Sequence, residues 1–138
     1  MKIEFFIPMR VPTVTQQEHK VTVRNGKPHF YEPAELKAAR AKLRDHLAQH
    51  RPDQPLRGPV YLLTEWLFPS EGRHDDGEWK ISKPDTDNLV KMAKDEMTRL
   101  RFWSDDAQVC SEEIHKRWAR IPGLYVYAAE LESEDEPE

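Results

Sequence analysis

Between residues 83 and 108 the apolar positions Leu89, Met92, Ala93, Met97 and Leu100 recur at intervals of three and four. That is the period of a helix with one buried face. Asp87, Lys91, Asp95 and Thr98 fall at the same intervals on the opposite side, so they share the polar face. Pro84 and Asp85 disfavour helix upstream, and Thr86, Asp87 or Asn88 can each cap it. The pattern predicts a helix opening near Asp87, with Lys91 one turn further on. Phe102 and Trp103 end the periodicity, and Ser104-Asp105-Asp106 turns the chain.

Elsewhere the alternation is that of strands. Residues 2–7 (KIEFFI) and 11–16 (VPTVTQ) read as short strands interrupted by prolines. Residues 20–24 and 27–31 flank Asn25-Gly26, a dipeptide that favours a type I′ hairpin turn. Pro33 can open a second helix over 34–50, with Leu36, Ala39, Leu43 and Leu47 inward. Its Lys37, Arg40, Lys42 and Arg44 then face solvent or a polyanion. Residues 51–59 are a proline-rich loop. Residues 60–68 form a strand with Val60, Leu62, Trp66 and Phe68 on one face. The polar segment 69–79 reads as a mobile loop. Two more strands, 109–120 and 124–131, are joined around Pro122-Gly123. Strands interspersed with two main helices predict one small α+β domain with a mixed sheet and an N-terminal hairpin, over residues 1–132. Residues 133–138 read as a disordered acidic tail.

Composition narrows the class. With 138 residues and a third of them charged, and a mean hydropathy of −0.84, a single modest core is expected. No apolar run approaches the roughly 20 residues a membrane span needs. The N-terminus is too short and too charged for a signal peptide, so a cytoplasmic location is the default expectation. Cys110 is the one cysteine, which leaves no disulfide framework and no cysteine-based zinc site. His46 and His50 lie four apart without a third ligand and read as surface histidines. The net charge of −4 argues against nucleic acid only superficially. Six of the 25 acids lie from Glu130 onward, and without them 19 acids face 21 Lys and Arg.

The chemistry worth weighing is acidic. Asp85 and Asp87 form a D-x-D pair before the central helix, and Asp105 and Asp106 form a second pair after it. Hard divalent cations prefer carboxylate oxygens, so a site of this kind suits Mg²⁺, with Mn²⁺ possible, over Zn²⁺. Its common use is phosphodiester hydrolysis, with a lysine such as Lys91 to orient water or neutralise phosphate charge. D-x-D alone is weak, because acids at a helix start also serve as caps and dipole partners. A nucleotidyltransferase uses the same pair but usually adds a glycine-rich loop, and only five glycines occur, none clustered. A DNA-binding module without catalysis is the other alternative. The metal reading expects the far pair to fold back beside the near one, or a partner subunit to bridge the gap.

The order K-P-D-T-D-N-L-V-K (83–91), Asp95, W-S-D-D-A-Q-V (103–109) and Lys116 closely resembles the RusA family of Holliday junction resolvases. The resemblance implies a homodimeric, Mg²⁺-dependent endodeoxyribonuclease, often prophage-encoded, that cuts four-way DNA junctions in recombination and repair. It implies catalytic and metal-associated roles for Asp85, Asp87 and Asp106, a required Lys91, and further recurrent positions at Asp95, Asp105 and Lys116. Asp105 is expected beside the metal, and Lys83, Lys116, Lys20 and Arg24 are expected to meet DNA. Residues 10–17 depart from the Pro-Pro-Ser-x-Asn-like element of that family.

Overall fold

Val60–Pro69 alternates fully buried with half-buried residues along its whole length, as expected of a central strand with one face on a core. In this computed structural model it is β4 of a sheet ordered β1-β6-β4-β5. Here β1 is Lys2–Pro8, β5 is Val109–Ala119 and β6 is Gly123–Glu130. A separate hairpin joins β2 (Lys20–Arg24) to β3 (Lys27–Tyr31). Two helices complete the chain, α1 (Ala34–Ala48) and α2 (Thr86–Arg99). The structure describes residues 1–13, 20–24, 26–31 and 33–132, and of 20–24 and 28–31 the backbone alone. Most of the expected strand at 11–16, Asn25 of the hairpin turn, the side chains of Lys20 and Arg24, and the tail 133–138 lie outside that description. Residues 11–13 are not in a strand.

The fold is α+β with a mixed sheet. β6 runs antiparallel to both β1 and β4, while β5 runs parallel to β4. The last two strands therefore do not pair with each other, because β4 lies between them. Parallel neighbours need a crossover, and α2 supplies it. Both helices cover one face of the sheet, where Val60, Leu62, Trp66, Phe68, Leu124, Val126 and Ala128 meet Leu36, Leu43, Leu47, Leu89, Met92 and Met97. Trp66 and Trp103 are fully buried, so packing, not base stacking, is their use.

The two helices are also joined by charge. Glu96, with no exposed surface, accepts from Arg44 Nε at 2.7 Å, and Arg40 Nη2 donates to Asp95 at 3.1 Å. The expectation that Arg40 and Arg44 face solvent or a polyanion is thus corrected: both pair with acids of α2. A burial pattern based on apolar residues cannot reveal a buried glutamate that recruits arginines from a neighbouring helix. Of that set only Lys37 and Lys42 are exposed. His50 is likewise not a free surface residue, since its ring stacks on Phe5 at 4.3 Å.

The segment 69–79, expected to be mobile, and Lys80 after it are tied to β5. Gly77 N donates to Trp118 O at 2.7 Å, Trp118 N to Glu78 O at 2.8 Å, and Lys80 N to Lys116 O at 3.1 Å. His74 stacks on Trp118 at 4.0 Å and pairs with Glu78 at 2.7 Å, an interaction that holds the Glu78 carboxyl below its usual range. Asp76 accepts from the Arg120 backbone at 2.9 Å. These contacts extend the sheet edge by a short ribbon and deliver the chain to the start of α2.

Candidate active site

Asp85 is the residue preceding the first turn of α2, in extended backbone (φ −72°, ψ 148°), and its side chain makes no capping bond. Asp87 lies in the first turn, and both aspartates are exposed. The helix begins here because the peptide before it, Lys83–Pro84, leads in from a loop and proline restricts its predecessor to non-helical backbone. Lys91, one turn on, is 61% exposed, and its ammonium stands 3.9 Å from Asp95 Oδ1. Neither the Asp85 nor the Asp87 carboxylate has a hydrogen-bond or ion-pair partner among the described residues. Two unengaged carboxylates on one exposed helix start are the donor chemistry a hard divalent cation requires.

The other end of α2 is closed by a Schellman arrangement. Arg101 takes a positive φ of 65°, Arg101 N donates to Thr98 O at 3.1 Å, and Phe102 N donates to Met97 O at 3.0 Å. Phe102 and Met97 are both fully buried, which supplies the apolar contact such a cap favours. Trp103 donates to Thr98 Oγ1 at 2.7 Å. A short 3-10 turn, Asp106–Gln108, follows.

Asp105 is the cap of that turn. Its Oδ1 accepts from Ala107 N at 2.8 Å, while Gln108 Oε1 accepts from Ser104 N and Asp105 N at 2.9 and 3.1 Å. Gln108 Nε2 in turn donates to Leu56 O and Gly58 O at 3.1 and 3.0 Å, anchoring the turn to the loop before β4. One oxygen of Asp105 is therefore already engaged. Asp106, half-buried, has no side-chain partner among the described residues. The capping pair was legible in D-D-A-Q, but the anchor on residues 56–58 was not.

The two pairs do not meet within one chain. α2 has 14 residues, and at 1.5 Å per residue its ends stand about 20 Å apart. β5 runs back alongside it: Lys94 Nζ pairs with Glu112 at 3.1 Å, and Lys116 reaches the residues before Asp85. Val109, just after Asp106, is consequently at the far end. Among the described residues no group of three or more His, Cys, Asp or Glu is close enough to share a metal ion. The expected folding back of Asp105 and Asp106 beside Asp85 and Asp87 is corrected on this point, because the Schellman turn feeds directly into a strand antiparallel to the helix.

Around the Asp85 end the surface is basic and partly apolar. Lys83 is exposed. Lys116, half-buried, donates from Nζ to Ser82 O and Pro84 O at 2.8 and 2.7 Å, so two of its three donors are engaged by the main chain. Lys80 is buried, 4.3 Å over the Trp118 ring and 5.0 Å over Phe68. Desolvation first, and then the charge of Lys116, lower its pKa. Trp79 is 55% exposed with the Arg117 guanidinium stacked on it at 3.6 Å, and Ile81 is 97% exposed. Neither Trp79 nor Ile81 was singled out from the sequence. Their one signal is two large apolar side chains inside an otherwise polar segment.

Comparison with known proteins identifies a family. The family model described as "Endodeoxyribonuclease RusA" matches residues 10–128. The chain is 30% identical over 118 residues to the crossover junction endodeoxyribonuclease rusA of Lactococcus phage r1t, covering 84% of this chain and 88% of that protein. It is also 30% identical over 129 residues to the uncharacterized protein YqaN of Bacillus subtilis (strain 168), covering 86% and 90%.

Proposed function

This chain belongs to the RusA family of endodeoxyribonucleases and is a nuclease, and on that premise we propose that it resolves four-way DNA junctions by Mg²⁺-dependent hydrolysis of paired phosphodiesters. The observation that carries the reading is the pair Asp85 and Asp87, both exposed and unengaged at one helix start, with Lys91 one turn along. These two carboxylates, with Asp106, would hold the metal. Bound there, Mg²⁺ would supply Lewis acidity and an activated water. Lys91 reaches outward from the same helix face to neutralise or orient the scissile phosphate. Lys83 adds positive charge at that end, and the exposed Trp79 and Ile81 offer apolar surface to an unstacked base step. Asp105 contributes by shaping the turn that presents Asp106.

Because α2 separates Asp106 from Asp85 and Asp87, the complete set requires a second copy. A twofold axis crossing α2 pairs two helices head to tail, and this brings the Asp106 end of each towards the Asp85 end of the other. Each of two equivalent sites would then draw Asp85, Asp87 and Lys91 from one subunit and Asp106 from its partner. The same symmetry matches a junction, which is cut at two related phosphates. Homodimerisation in this reading is a condition of metal binding and not an accessory to it.

The deciding experiment incubates the protein with an end-labelled four-way junction and with a linear duplex of the same sequence, in Mg²⁺ and in EDTA. Paired symmetric nicks confined to the junction and to Mg²⁺ support the proposal. Junction bound but left uncut in Mg²⁺ would instead identify a binding module, and equal cutting of duplex and junction would refute structure selectivity.

A further inference from the structure

Lys116 stands in the sequence as a residue to meet DNA, but its surroundings point elsewhere. Its ammonium donates to two main-chain carbonyls, Ser82 O at 2.8 Å and Pro84 O at 2.7 Å. Both distances are those of charge-assisted bonds. An ammonium carries three donors, so two are committed inward. Pro84 O belongs to the peptide that leads directly into Asp85, and the chain from Lys80 to Pro84 is otherwise a loop.

A second lysine reinforces the same loop. Lys80 Nζ donates to Ser82 Oγ at 2.6 Å from its seat over Trp118 and Phe68, and Lys80 N donates to Lys116 O at 3.1 Å. The loop is thus held at three points by groups rooted in β5 and in the ribbon paired to it. Strand residues are less free to move than loop residues, so this anchoring transfers the rigidity of the sheet to the start of α2.

We propose that Lys116 is a positioning residue: by gripping the carbonyls of Ser82 and Pro84 it fixes the approach of Asp85 and Asp87. This inference rests on the reading of that aspartate pair as the metal-binding end of the site. The effect of Lys116 on cleavage is then exerted through metal affinity. Its direct contribution to DNA binding is small.

The test compares wild type, K116M and K116R in the full-length dimer by three measurements. These are junction affinity in EDTA, the Mg²⁺ concentration for half-maximal junction cleavage, and amide hydrogen exchange of residues 82–87 with and without Mg²⁺. Outer-shell partners of metal ligands typically set affinity by 10- to 100-fold, so K116M should raise half-saturating Mg²⁺ about tenfold while junction affinity stays within about twofold. Exchange should rise in 82–87 and not in β4 or β6, and K116R, which keeps charge and two donors, should recover much of the loss. Weakened junction binding with unchanged half-saturating Mg²⁺ would make Lys116 a phosphate contact and overturn the proposal. Faster exchange throughout the sheet would reduce it to a general stability role, which also overturns it. If wild type fails to cut the junction, the junction-resolving reading fails by itself. The exchange of residues 82–87 then still decides whether Lys116 anchors the loop.

Discussion

Asp85 and Asp106 lie beyond opposite ends of α2, whose 14 residues span about 20 Å. Each is exposed or half-buried and neither has a protein partner among the described residues. If both acids serve one reaction, as proposed above, the site is assembled between subunits, and mixing experiments read this directly.

D85N and D106N homodimers should each be inactive. Mixed and allowed to exchange subunits, they form heterodimers in which one shared site carries both lesions and the other carries none. Nicking of the four-way junction should return, to about a quarter of the wild-type site activity under random exchange. Sites built within single chains would each keep one lesion, and the mixture would stay inert. A gel of labelled junction after prolonged co-incubation distinguishes the two.

D85N alone should abolish cleavage while sparing junction binding, since it removes a carboxylate charge from the metal end and no basic residue. Junction affinity in EDTA should remain equal to or slightly better than wild type, because a negative charge facing phosphate has been lost. Appreciable cutting by the D85N dimer at ordinary Mg²⁺ would remove Asp85 from the catalytic set.

Mg²⁺ should stabilise the dimer. Aspartates from two subunits brought together without a cation repel one another, and a ligand that binds only the folded dimer shifts unfolding by mass action, about 2.7 kcal/mol at a hundredfold excess over its Kd. Thermal melting in Mg²⁺ should lie above melting in EDTA at equal ionic strength. Coincident curves, together with an unchanged monomer–dimer equilibrium, would contradict the shared site.

Lys83 is exposed at the Asp85 end and should act as a phosphate contact. Lys83→Ala should weaken binding of every DNA to a similar degree and lower the slope of log K against log salt by about 1. Filter binding across a salt series measures it. A variant that changed junction preference but not the salt slope would require a different role.

Glu96 is the acid whose loss should damage the fold instead of the chemistry. It is fully buried against Arg44 at 2.7 Å, with Arg40 and Arg99 each at 4.0 Å. Glu96→Ala removes the buried carboxylate that Arg44 binds across the α1–α2 contact, at a cost of about 3 kcal/mol, the low end for breaking a buried pair because Arg44 keeps some solvent. Urea unfolding should register that loss. Glu96→Gln, which keeps shape and one acceptor, should cost less.

Much of this protein was readable along the chain because its signals are local. The 3.6-residue period of Leu89, Met92, Ala93 and Met97 identified α2, and the alternation of Val60, Leu62, Trp66 and Phe68 identified β4. The carboxylate pairs with Lys91 pointed to metal-dependent phosphodiester chemistry, and their order resembled one family. These features depend on residues a few positions apart, whose relative geometry is set by helix rise and strand pleat.

Tertiary structure decided which distant groups meet. The turn after Trp103 could in principle have returned Asp106 to Asp85. It feeds β5 instead, because Gln108 binds the carbonyls of Leu56 and Gly58 and β5 must pair in parallel with β4. The same register carries Lys116 to the carbonyls of Ser82 and Pro84. Arg40 and Arg44, placed by the local period towards solvent or a polyanion, instead pair with Asp95 and Glu96 across the α1–α2 contact. Such contacts join residues more than 30 positions apart, and no local period encodes them.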